Sequence, residues 1–412
     1  MSKPHFFDFF KNDKKSFGAI LIDVASGSLG AALVVFREQE IPRIVFEVRE
    51  QFPIQSKLSR HTLLLVMLET FDKVTKIVAE QGIPIFLKKE KGVKFEKIIV
   101  QFSSPWHIST TKSLNFNFEK PFVITSNFIK DILQHESKSF VSSINKDGIE
   151  NSFDSQQKYL VAEQEIFSIL LNGYPIDFPI GRQAKELEMS LFLSAFPIGI
   201  IKRVQKLSDK YFSGIEPDFH SSVAVYFDVL KGLFPKESSF MIIHISGETT
   251  DVSIVKNEAV TESVSFPLGR NFIVRKLVNE IRGITPTVAL SMIKTNAEGD
   301  TLPKLSTKLE SILSQAESDW IELFVDSIHD FSKNFFLPVK VFIIAGDDMA
   351  PTFADLISKR KLAIHGSVMP TISAEAIGMS LFDKFVENRQ GDRHDIFLSA
   401  LAFFSQKLYF NN

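Results

Sequence analysis

Ile20-Leu-Ile-Asp-Val-Ala-Ser-Gly-Ser-Leu-Gly-Ala-Ala-Leu-Val34 and Met241-Ile-Ile-His-Ile-Ser-Gly-Glu-Thr-Thr-Asp-Val-Ser-Ile-Val255 are two versions of one pattern. Each has an apolar strand, a polar residue at its end (Asp23, His244), a tight turn of small and hydroxyl residues, and a second apolar strand. The offset, 244 − 23 = 221 residues, places the two units in different lobes.

Small-residue turns of this kind carry chemistry. Their backbone N–H groups converge, Ser and Thr hydroxyls add donors, and Gly allows close approach to an anion. One such turn is an ordinary hairpin. Two facing turns, with Ala345-Gly346-Asp347-Asp348 after a third buried strand, read as a clasp for the phosphates of a nucleotide.

Composition sets the outer limits. A chain of 412 residues predicts two to three domains. Lys plus Arg (47) nearly balances Asp plus Glu (49), which excludes an extended nucleic-acid-binding surface. The absence of Cys rules out disulfides, thiolate catalysis and Cys-ligated zinc. No apolar run is long enough for a spanning helix, and Met1 to Lys15 lacks a signal-peptide pattern. A cytoplasmic protein is expected. Phe6, Phe9 and Phe10, spaced i, i+3, i+4 among Lys3, Lys11, Lys14 and Lys15, fit a short interfacial anchor on the inner face of a membrane.

Hydrophobic periodicity predicts a long helix from Arg60 to Gln81 ended by Gly82, and a boundary at Lys88 to Lys94. An inserted α+β domain is expected over 95–194, with a helix over Thr125 to Phe140 for which Ser126 is the candidate cap. Ser142 to Gln157 reads as a loop and Ile372 to Phe385 as a helix. The apolar residues of Ile396 to Phe410 run all round a helix, which favours burial over an interfacial role. The resulting division is a tail (1–16), a first lobe in two parts (17–94 and 195–236) around the insert, a second lobe (237–386), and a polar linker with the last helix (387–412).

This α/β arrangement resembles the two-lobed actin-like ATPase fold. Asp23 to Ser28 is similar to that superfamily's first phosphate loop, Gly247 to Asp251 to its second, and Ile343-Ile-Ala-Gly346 to its adenosine loop. Leu171-Asn-Gly-Tyr-Pro-Ile-Asp-Phe-Pro-Ile-Gly-Arg-Gln-Ala-Lys-Glu-Leu-Glu188 resembles the end of the inserted domain in FtsA-like cell-division proteins. The resemblance implies ATP with Mg²⁺, self-association into polymers, and a partner in the tubulin-like division protein FtsZ. PilM-like adaptors of type IV pili, which grip a short segment of a pilus membrane protein, are the second reading, and a small-molecule kinase the third. The implied nucleotide contacts are Asp23, Ser26, Gly27, Ser28, Gly247, Thr249, Thr250, Asp251 and Gly346, with Asp23 ordering the metal's water shell.

The chain departs from the pattern at Ala25, His244, Ser246 and Asp347. Imidazole is a poor ligand for Mg²⁺, so weak binding and slow or absent hydrolysis are expected. His107 and His329 have no metal-ligand partner at a useful spacing, and Glu163 and Glu165 read as a solvated strand face.

Overall fold

The computed structural model describes residues 16–55, 59–146, 158–297, 303–332, 336–346, 349–359, 363–364, 367–368, 372–388 and 395–410. The phenylalanines of the N-terminal tail, Asp347, and most of the stretch expected as a linker lie outside them.

The chain opens with a meander, β1 (Ser16–Val24), β2 (Ser28–Arg37) and β3 (Arg43–Gln51). Helix α1 (Arg60–Ile77) widens into a π-helical turn (Val78–Gly82) and continues as α2 (Ile83–Lys89) before β4 (Phe95–Phe102). An excursion follows: β5 (Ile108–Val123), α3 (Ser126–Lys146), β6 (Tyr159–Leu171), β7 (Tyr174–Pro175) and β8 (Gln183–Pro197). Helix α4 (Ile198–Tyr211), β9 (Pro217–Ser221) and α5 (Ser222–Leu233) complete the first half.

The second half begins with β10 (Phe240–Ile245), β11 (Thr250–Lys256) and β12 (Ala259–Phe266). Helices α6 (Arg270–Glu280), α7 (Pro286–Ala297) and α8 (Pro303–Ser332) lead to β13 (Lys340–Ile344). Helix α9 (Ala350–Lys359), the short pair β14 (Ala363–Ile364) and β15 (Ser367–Val368), and β16 (Ser373–Ala376) follow. Strand β17 (Glu387–Asn388) and helix α10 (Ile396–Phe410) return to the first lobe.

Strand order exposes the duplication. The first sheet runs β17-β3-β2-β1-β4-β9 and the second β12-β11-β10-β13-β16. In both, the first strand of an antiparallel meander pairs in parallel with a later strand, which pairs in parallel with another. Strands β1 and β10 are buried almost end to end, which is why both read as continuous apolar runs. Helix α10 is buried at Ile396 and from Leu398 to Gln406, against α5, β1 and β2. Its core also takes Phe240 and Phe342 from the second sheet, so one apolar floor runs beneath both lobes.

Several sequence expectations change. The insert does not begin at Phe95, because β4 pairs with β1 and β9 inside the first sheet. The separate four-stranded sheet, β5-β8-β6-β7, starts at Ile108. Gly82 does not stop the helix. A methyl group there would lie 2.7 Å from Phe46 Cδ1, so the glycine instead lets the sheet close on the helix. Thr125, not Ser126, caps α3, its hydroxyl accepting from Phe128 N at 3.2 Å, and α3 extends to Lys146 into the expected loop.

Ile372 to Phe385 is not a helix. Its start is β16, held to the β13 side by Ser373 N→Val339 O and Ile377 N→Ile343 O, because sheet pairing outweighs helical spacing. Glu387 is not linker either: it sits in β17 beside β3 and accepts from Arg43 Nε at 2.7 Å. Glu163 is buried rather than solvated. A bulge in β6 turns it toward β9, where it accepts from Ser221 N (3.1 Å) and Oγ (2.5 Å) and lies 3.0 Å from His220 Nδ1. Among the described residues no helix is long and apolar enough to cross a membrane.

Candidate interlobe site

The β1–β2 turn and the β10–β11 turn meet face to face. Ser26 Oγ accepts from Glu248 N (2.8 Å) and Thr249 N (3.2 Å) and donates to Ser246 Oγ (2.8 Å). The Ser26 amide also donates to Ser246 Oγ, at 2.9 Å. Thr249 Oγ1 donates to the Ser104 carbonyl at 2.9 Å. Gly27 and Gly247 touch through their backbones: a Cβ on Gly27 would stand 2.5 Å from Gly247 Cα. The small residues of both turns are thus used against each other.

Strand register aligns three residues behind each turn. In the first lobe Asp23, Gly30 and Arg49 lie side by side across β1, β2 and β3. In the second the row is His244, Asp251 and Ser265 across β10, β11 and β12. Arg49 reaches over the bare Gly30, whose Cβ would lie 2.5 Å from its Nη2. Nη2 donates to Asp23 Oδ2 (2.8 Å) and Asp395 Oδ1 (3.1 Å), Nη1 to Ser28 Oγ (2.9 Å), and Nε to Asp395 Oδ2. The Phe397 ring stacks 5.0 Å from the guanidinium.

Asp23 is 1% exposed, and its Oδ1 has no hydrogen-bond partner among the described residues. Burial pushes its carboxyl above the usual range, although Arg49 pulls it down. Burial alone would weaken the charge on Arg49, but Asp395 and Asp23 outweigh it and hold the guanidinium firmly charged. In the second row Asp251 accepts from Ser265 Oγ at 2.6 Å and lies 3.3 Å from His244 Nδ1. Burial would raise Asp251, but the bond and charge of His244, with His107 nearby, bring it below the ordinary carboxylate value. His244 is covered by Tyr226 (4.8 Å between rings) and Phe397 (5.9 Å). His107 is buried, and burial lowers its proton affinity against the opposing pull of Asp251 and Glu163.

Beside these rows a cavity of about 220 Å³ remains, below the roughly 300–1,000 Å³ of ordinary ligand pockets. Of the expected nucleotide contacts, Gly27, Ser28, Gly247 and Gly346 line it. Asp23, Ser26, Thr249, Thr250 and Asp251 do not. Thr250 is turned into the second lobe, donating to the Leu268 carbonyl (2.6 Å) and accepting from Trp320 Nε1 (3.2 Å). Arg49, Gln51, Arg270, Asp395 and Phe397 also line the cavity, and sequence reading missed them. Only the bare position at Gly30 hinted that a side chain from another strand would cross there.

Mg²⁺ with ATP does not fit the residues as arranged. The two turn glycines are already in contact, and the space left beside them is only about 220 Å³. Asp23 is engaged by Arg49, and the matching strand end in the second lobe carries the imidazole of His244, a poor ligand for Mg²⁺. Among the described residues no cluster of three His or acidic side chains suits a metal ion.

Two lobes built on one duplicated motif, joined at facing hairpin turns and carrying a small α+β insert, constitute the actin-like ATPase fold. Among solved structures the chain is similar to the PilM–PilN type IV pilus biogenesis complex, with a TM-score of 0.57 and 9% identity over 95% of this chain and 98% of that one. It is also matched to the ethanolamine utilization protein EutJ from Carboxydothermus hydrogenoformans, with a TM-score of 0.43 and 10% identity over 97% and 92%. A Bacteroides thetaiotaomicron protein with an actin-like ATPase fold and unknown function gives a TM-score of 0.43 and 9% identity over 96% and 98%. Likeness at such identity speaks for the fold alone, and the first of these carries it. No family model matches the chain, and no curated protein matches it in sequence.

Proposed function

We propose that the chain is an actin-fold adaptor on the cytoplasmic side of a membrane assembly, binding a protein segment rather than turning over a nucleotide. The contact between the two phosphate-loop counterparts carries this reading, because turns bonded to each other leave beside them a cavity of only about 220 Å³, below the roughly 300–1,000 Å³ of ordinary ligand pockets. The full-length likeness to PilM supports the adaptor role over a polymerising, FtsA-like one. The partner is then a pilus-type membrane protein offering a short cytoplasmic segment, and the tail around Phe6 and Phe10 adds weak membrane contact.

The test is calorimetry of the full chain against cytoplasmic segments of the membrane proteins encoded by neighbouring genes, with and without Mg-ATP, beside sedimentation. Binding indifferent to Mg-ATP, by a chain that stays unpolymerised, is expected. Pelleting with Mg-ATP together with binding to FtsZ would restore the division-scaffold reading.

A further inference from the structure

We infer that Arg49 is a resident cationic latch, filling with the chain's own charge the place beside Asp23 that a bound cation would otherwise take. The inference rests on the reading of the cleft as a closed joint, and identifies what closes it. The geometry is specific. Arg49 comes from the third strand of its row, and it can reach Asp23 only because the intervening position, Gly30, has no side chain. Its equivalent in the second lobe, 30 + 221 = 251, carries a carboxylate instead. The two rows differ at all three positions, and only the first combines a bare middle position with a cation on its third strand.

The other end of the latch is Asp395, the residue before α10. Its Oδ1 accepts from the Phe397 and Leu398 amides, both at 3.0 Å, while its two oxygens receive Nη2 and Nε of Arg49. One guanidinium thus ties the end of β1 to the start of the last helix, and Phe397 lies over it. The first turn of α10 becomes part of the cavity wall. Three partners in fixed directions suit a planar fork of donors, which a lysine ammonium cannot reproduce. The latch makes closure independent of any ligand.

Hydrogen–deuterium exchange on the full chain tests this with two variants. Gly30→Ala pushes the flexible end of Arg49 aside without altering any charge, and Arg49→Met removes the charge. Both should raise exchange in the first turn of α10 (396–399) about tenfold, and leave the insert strand β8 unchanged. Unchanged exchange at 396–399 in both variants overturns the latch. A parallel arm adds Mg-ATP to the unaltered chain and follows thermal unfolding. No shift at millimolar Mg-ATP is expected. A shift of several degrees would overturn both the latch and the nucleotide-free reading, whereas failure of the exchange arm alone would overturn the latch and spare the adaptor.

Discussion

Ser26 and Ser246, 220 residues apart, occupy matching turns of the two duplicated hairpins and hydrogen-bond to each other at 2.8 Å. The residues that a nucleotide would separate are each other's partners. The hydroxyl of Ser26 also satisfies two amides of the opposite turn. Ser26→Ala would leave Glu248 N and Thr249 N as buried donors without acceptors, and should destabilise the chain by about 2–3 kcal/mol. Urea unfolding measures it. A loss below about 0.5 kcal/mol would mean that the interlobe bonds contribute little.

Gly27 and Gly247 test the same contact by steric means. A Cβ on Gly247 would stand 2.3 Å from Gly27 Cα, and neither backbone can yield as a flexible side chain does. Alanine at either position should cost about 3 kcal/mol or part the lobes. Thermal unfolding and small-angle scattering distinguish these outcomes. A variant with an unchanged melting temperature and radius would contradict the contact.

Glu47 gives the fold a pH dependence. Burial first, then nearby Asp395, raises its carboxyl from 4.5 to about 7. The folded chain therefore holds this proton more tightly than the unfolded chain. That contribution to stability is complete below about pH 4.5 and is lost as pH rises through about 7. Glu47→Gln should stabilise the protein by about 1–2 kcal/mol at pH 8, after allowance for partial exposure, and by little at pH 5. Equal effects at the two pH values would rule out this assignment.

Glu163 fastens the insert to the first lobe. It is 5% exposed and accepts from the amide and hydroxyl of Ser221. Glu163→Ala should cost about 2–4 kcal/mol, most of it from the orphaned Ser221 amide. Ser221→Ala should cost less, and the double mutant less than the sum of the two. Additive losses would show that the two groups do not act as a pair.

The boundary of the insert is set by long-range strand pairing, which local sequence does not carry. Phe95–Phe102 has its own apolar alternation, and nothing local says that it pairs with β1, more than seventy residues earlier. The same holds for the stretch from Ile372: its spacing fits a helix, but the open edge of β13 captures its start as a strand.

The duplication is legible in the residues alone, since two hairpins of one pattern fold locally in the same way, and apolar runs at β1 and β10 require burial on both faces. So is the burial of α10, because a helix apolar all round has no face to offer water. What the turns do is set by how the lobes meet in space. Whether Gly27 receives a phosphate or Gly247, and whether Asp23 faces a metal or Arg49, depends on how two distant lobes and the last helix come together. Charges and close approaches act through space, and residues far apart in the chain leave no periodicity by which to read them.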